Sequence, residues 1–298
     1  MNTAQHVADR WAGRLMNLVK EHGHLHLLLN RFDGLDQRLI DPIRALPQQW
    51  PLTDPYYGEA IERTPLLVTL TMDNLPLLDI TALIAAEAAL DPALPAPTVC
   101  AWLQSGASTE RLAGHLRRHL DLRLEGHKKS VFFCNFDPRV IPLLPHMLDA
   151  AQIARLLGPV SRWLVPGRDA QLLEVSPPAA SEAPTSVSVF GLRLGHAQAQ
   201  ALERIETLNA AVRAIQTRQR VPHTDDARLD ALIQRAIGLG LEQADDQAAY
   251  AALAYTWPAG RGPIESDEQV TRGIELARAG LPLADYLQQN PSTTSDHP

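Results

Sequence analysis

The spacing of apolar residues changes character along the chain. Val7, Trp11, Leu15 and Leu18 recur three and four positions apart, which places them on one face of a helix over residues 3–21, stopped by Gly23. Short apolar runs then alternate with helical patterns. "HLHLLLNRF" (24–32), "RTPLLVTLT" (63–71), "PTVCAWLQS" (97–105) and "KKSVFFCNF" (128–136) predict four strands, bounded by Pro and by polar turns such as "MDNLP". "ITALIAAEAAL" (80–90) and "TERLAGHLRRHL" (109–120) predict helices, the second capped by Ser108 with Glu110 in its first turn. "DAAQIARLLG" (149–158) predicts another, ended by Gly158-Pro159. This alternation predicts an α/β N-terminal lobe, a mixed sheet flanked by helices, over residues 1–170.

The pattern then shifts. "SPPAASEAPTS" (176–186) has few groups to bury and reads as a linker; with the strand "VSVFGLRL" (187–194) it fills a connection over 171–200. Beyond it the periodicity is helical throughout and predicts an all-α C-terminal lobe over 201–290. Leu202, Ile205, Leu208, Val212 and Ile215 form one stripe. Leu229, Leu232, Ile233, Ala236 and Ile237 form a second, capped by Thr224. Ser266 and Gln269 fit a capping box ahead of Val270 and Ile274. Pro282 opens a last short helix, and the tail 291–298 is expected to be disordered.

Composition narrows the class. With 45% hydrophobic and 20% charged residues, the chain has the makings of a packed core. A net charge of -7 with both signs interspersed speaks against a general nucleic-acid binder. Cys100 and Cys134 both sit in apolar runs and are expected to be buried, reduced thiols. With no signal-peptide pattern and no apolar window near the ~20 residues of a membrane span, a cytoplasmic protein without a membrane segment is expected.

Candidate chemistry is sparse. His22, His24 and His26 alternate in "HGHLH" and would share one face of a strand, where two could ligate a metal. No later motif clearly supplies further ligands, so a surface or strand-edge row competes with that reading. There is no Gly-x-Ser-x-Gly elbow and no phosphate loop, and no cofactor is expected. Asp137-Pro138-Arg139 ends an apolar run abruptly. The triplet could orient a substrate carboxylate or phosphate, or it could be a structural corner in which the acid bonds backbone N–H groups. Arg117 in "HLRRHL" could stay solvated or reach Asp137.

The order of "WPL" (50–52), "TPLLVTL" (64–70), "HLRRHL" (115–120), "DPRV" (137–140) and "GPVSRWLVP" (158–166) resembles the type VI secretion effector chaperones, or adaptors. Asp137, Pro138, Arg139, His115, Leu116, Arg117 and Trp163 match the family pattern. Asn30 stands where relatives carry Asp, and Cys134 and Asn135 replace an arginine and an aromatic. The resemblance implies a non-enzymatic cytoplasmic adaptor with two partners, an effector toxin and the spike protein of the secretion apparatus. On it, Asp137, Arg139, Arg117, His115 and Trp163 bind a partner or form a structural corner. The helical lobe would choose the effector and the α/β lobe would meet the spike, with a cleft between them available to a partner. The rival reading is a metal-dependent hydrolase using His22, His24, His26 and acids such as Asp33.

Overall fold

The computed structural model describes residues 3–91, 96–168, 170–178, 191–219, 224–258 and 260–290. The chain forms two compact units, residues 1–199 and 200–298. The fold is mixed α/β, with sheets and helices in the first unit and helices in the second.

In the first unit α1 (Thr3–His22) precedes β1 (Leu25–Leu29), α2 (Gln37–Arg44), β2 (Gln49–Pro51) and β3 (Leu66–Leu70). Next come α3 (Leu75–Leu90), β4 (Val99–Ser105), α4 (Thr109–Arg118), β5 (Asp121–Leu124) and β6 (Val131–Phe132). The short α5 (Leu144–Met147), α6 (Ala150–Leu157), β7 (Val160–Pro166), β8 (Leu172–Val175) and β9 (Leu192–Leu194) complete it. The main sheet has the order β2-β3-β1-β4-β7-β8, and every neighbouring pair is antiparallel. Mixed pairing is confined to a small sheet, β6-β5-β9, in which β5 and β9 run parallel.

Alternation along the strands splits the core. Leu25, Leu27 and Leu29 of β1, Leu66, Val68 and Leu70 of β3, Trp102 and Leu164 face the buried stripe of α1 and the apolar α3. α3 carries apolar residues on most of its circumference because it is buried between neighbours. His26, Thr69, Leu103 and Trp163 lie directly across from one another on successive strands, so they share the opposite face. α4 packs against β2 and β3, and α6 against β7.

The structure departs from the sequence pattern at definite points. The strand expected over 128–136 is only Val131–Phe132, because Asn135 turns its amide to the end of α4 and Nδ2 donates to His119 O at 2.8 Å. Leaving the ladder there exposes Cys134, contrary to the expected buried pair; Cys100 is buried. β7 is a strand that the apolar pattern did not predict. Residues 179–190 of the expected linker and strand, and the tail 291–298, lie outside the described residues. Gly191, at the entry to β9, makes a close approach that only glycine allows: a Cβ there would lie 2.1 Å from Asp121 O.

The second unit holds most of α7 (His196–Gln219), then α8 (Asp226–Gly238), α9 (Ala244–Tyr255), α10 (Glu268–Arg278) and α11 (Leu283–Gln289). Ile205, Leu208, Val212 and Ile215 are buried as the stripe requires; Leu202 is half-buried and Ile237 is exposed. The caps differ from the expected ones by one residue. Asp225 rather than Thr224 caps α8, and Asp267 rather than Ser266 caps α10, because the Ser266 hydroxyl donates to Pro263 O. Tyr250, Ile264, Val270, Ile274 and Leu283 form the core between α9, α10 and α11. Buried Asp246 accepts from Leu283 N at 2.7 Å, which satisfies an orphan donor at the start of α11. No helix among the described residues is long and apolar enough to cross a membrane.

Candidate functional site

Asp137-Pro138-Arg139 is a closed corner. Asp137 Oδ1 accepts from Arg139 N at 2.8 Å and from Arg139 Nε at 3.0 Å, and Oδ2 accepts from Nη2 at 2.6 Å. Val140 N and Ile141 N donate back to Asp137 O at 2.9 and 3.2 Å, so the acid starts the next turn. The side chains are 17% and 24% exposed, enough desolvation for the bidentate pair to count. Burial alone would lower the Arg139 pKa, but the hydrogen bond and charge of Asp137 outweigh it and raise it. Asp137→Ala removes the ion pair and the side-chain acceptor for Arg139 N, and keeps the backbone acceptor for Val140 and Ile141. It is expected to cost roughly 2–3 kcal/mol, read as a melting temperature lower by about 5–10 °C.

The other expected site residues are spread out. Arg117 is exposed near the end of α4, and Asp137 pairs with Arg139 instead. Trp163 is fully buried. His115 is buried on α4, where Nε2–H donates to Leu156 O at 2.8 Å near the end of α6. His119 Nδ1–H donates to His115 O at 3.0 Å, and the two rings lie 4.3 Å apart. Burial, then the neighbouring His119, pushes the His115 pKa down to about 4. Burial also lowers that of His119. The positions where this chain departs from the family pattern have internal work: Asn135 ties to His119 O, and Asn30 Oδ1 accepts from Phe32 N at 3.0 Å, a turn bond that a carboxylate could also make.

The histidine row does not form as expected. His22 ends α1 and His24 precedes β1, so of the three only His26 is on the strand. His26 is an interior residue of β1, neither at the surface nor at a sheet edge. Its Nδ1 is hydrogen-bonded to Thr69 Oγ1 at 3.0 Å, which in turn meets Thr109 Oγ1 at 3.1 Å. His24 Nε2–H donates to Ser105 O at 3.2 Å. Asp33 is exposed beyond the far end of β1. Among the described residues no group of three or more His, Cys, Asp or Glu could hold a metal ion.

An aromatic shelf, with Tyr56 and Phe32 exposed, Phe132 half-buried and Tyr57 buried beneath them, was not anticipated. Tyr56 stacks on Phe132, centroids 4.2 Å apart and planes 7° apart, and Tyr57 stands edge-on to both. Phe32 adjoins Tyr57, and the Arg63 guanidinium lies 4.1 Å above the Phe32 ring. These residues come from separate segments. Phe32 follows β1; Tyr56 and Tyr57 form a one-turn 3-10 helix started by Asp54 and Pro55; Phe132 belongs to β6. Phe32, Tyr56, Tyr57, Ala60 and Arg63 line a recess of about 310 Å³. The sequence signal was "DPYYGEA": paired tyrosines straight after a turn-forming Asp-Pro, in a chain with 5% aromatic residues. The second unit has its own open groove between α7 and α8, of about 690 Å³, lined by residues including Arg204, Gln234 and Ile237.

Residues 32–155 match the model of a family described as a domain of unknown function, DUF4123. That family is associated with type VI secretion effectors. No curated protein and no solved structure matches the chain. The matched span contains the aromatic shelf, the corner and the His115–His119 pair.

Proposed function

We propose that the chain is a non-enzymatic adaptor that binds a toxic effector in the cytoplasm and loads it onto the spike protein of a type VI secretion apparatus. The observation that carries this reading is the family match over residues 32–155. The disposition of the site residues supports it. The charged motif residues Asp137 and Arg139 bond to each other, while Tyr56, Ile61 and Phe32 are exposed. An enzyme would need converging reactive groups in a cleft, whereas a binding protein needs exposed anchors on a rigid base.

The test is co-expression with the effector encoded next to this chain's gene, followed by affinity capture of the chain and size-exclusion chromatography. A specific chaperone interface buries more than ~1,000 Å², so the pair is expected to elute together at micromolar concentration. Separate elution would count against the adaptor reading.

A further inference from the structure

The aromatic shelf has properties that a shielding layer over the core does not need. Tyr56 is 59% exposed and Ile61 53%, and the outer faces of such residues protect nothing beneath them. Phe32 and Val131 are also exposed. The chain has five Phe and five Tyr; four of them, Phe32, Tyr56, Tyr57 and Phe132, meet here. Exposed apolar clusters of this kind mark interaction sites.

The shelf is also held rigid. Asp54 accepts from Tyr56 N at 2.9 Å, and Gly58 at φ +56° closes the turn after Tyr57. Arg31 donates to Ile61 O, Thr64 O and Thr64 Oγ1 at 2.8–3.0 Å, which fixes the 61–64 segment below Arg63. A preformed surface loses little entropy on binding.

The charged side chain that lines the recess is Arg63. Arg63 donates Nε–H to Phe32 O at 2.9 Å, and no ion pair or further hydrogen bond is made by its guanidinium among the described residues. It lines the recess directly. His127, Lys128 and Lys129 are exposed on the β5–β6 turn that leads into Phe132. Of the acids near the rings, Asp54 is engaged as a cap, Asp121 pairs by backbone register with Phe132, and exposed Asp33, Glu59 and Glu62 flank the recess without lining it. A basic ligand would meet Arg63 on entering; an acidic one finds an unpaired fork beside an apolar floor.

We propose that Phe32, Tyr56, Tyr57, Ile61 and Phe132, with Arg63, form a docking site for a linear segment of a partner protein that presents an apolar side chain beside a carboxylate. The recess is at the small end of ligand pockets, which begin near ~300 Å³; that is room for one large side chain and suits a peptide anchor. The site's existence stands on its own geometry. Its assignment to effector binding rests on the adaptor reading.

The test uses the full chain and a fluorescein-labelled peptide, Gly-Ser-Asp-Leu-Phe-Asp-Gly-Ser, in anisotropy titrations. Two control peptides replace both Asp by Lys, or Leu-Phe by Ser-Ser. Wild type is expected to prefer the first peptide over either control by about tenfold or more. Tyr56→Ala is expected to weaken it by a similar factor, and Arg63→Glu to reverse the preference toward the Lys peptide. Both side chains are exposed, and matched melting temperatures exclude misfolding. No binding, equal binding of the three peptides, or binding unchanged by both variants would overturn the site. Effector capture with the same variants separates the two claims. Loss in the variants alone supports the site, and retention in both overturns its role. If wild type itself captures no effector, the adaptor reading fails and the peptide titrations alone decide the site.

Discussion

Gly158→Ala is expected to destabilise the first unit by roughly 3 kcal/mol or more. Gly158 ends α6 at φ +52° and ψ -112°, a conformation that side chains avoid. A Cβ there would also lie 2.1 Å from His115 Cε1 and 2.6 Å from Nε2. The ring cannot step aside without breaking its bond to Leu156 O. Both penalties fall at one position, but they separate in a mutant cycle. In a His115→Ala background the clash is gone and only the backbone strain remains. The cycle is therefore expected to show a coupling of roughly 1–3 kcal/mol by urea unfolding. Strict additivity would mean that the helix end is not packed on His115 as described.

Acidification between pH 6.5 and 5 is expected to cost the protein stability through its interior histidines. Burial, then the charge of nearby His24, pushes the His26 pKa down to about 4, and His115 is pushed to about 4 as well. Both are neutral in the folded protein over that range, while an unfolded histidine titrates near ~6.5. As pH falls below 6.5 the unfolded chain binds more protons than the folded one, so the folded state loses ground until the folded pKa is reached. At pH 5 each of the two would cost about 2 kcal/mol. The geometry agrees with the direction: His26 Nε2 is buried with no partner among the described residues, so a protonated ring would carry an unsatisfied N–H there. His26→Gln removes one titration. Its stability curve between pH 7 and 5 is expected to be shallower than that of wild type, with the contributions of His115 and His119 remaining; an equally steep curve would put the acid sensitivity elsewhere.

These effects lie in features that the sequence reveals unevenly. The α1 stripe, the leucine-rich β1 and β3, and Ser108 as the cap of α4 were legible because a period of 3.6 or 2 and a capping hydroxyl act locally. β7 was not: "VSRWLVP" interrupts its apolar run with Ser161 and Arg162 and follows a Gly-Pro break, and it is a strand because β4 and β8 flank it. The segment after Phe132 misled for the opposite reason. Its apolar run looks like a strand, yet Phe133 and Phe136 are buried off the ladder while Asn135 binds the end of α4. The corner was foreseen as one of two readings, but the choice of Arg139 over Arg117 as partner depended on three-dimensional reach. The aromatic shelf escaped entirely, because Phe32, Tyr56 and Phe132 are brought together from distant segments by tertiary folding.

The central claim is delivery, and the direct measurement is reconstitution from purified parts. The chain, a candidate effector toxin and a spike protein are mixed at micromolar concentration and resolved by size-exclusion chromatography with light scattering. The account predicts that the effector elutes with the spike only when this chain is present, in a complex stable to dilution as expected for interfaces above ~1,000 Å². An effector that joins the spike equally well without the chain, or three components that elute separately, would contradict it.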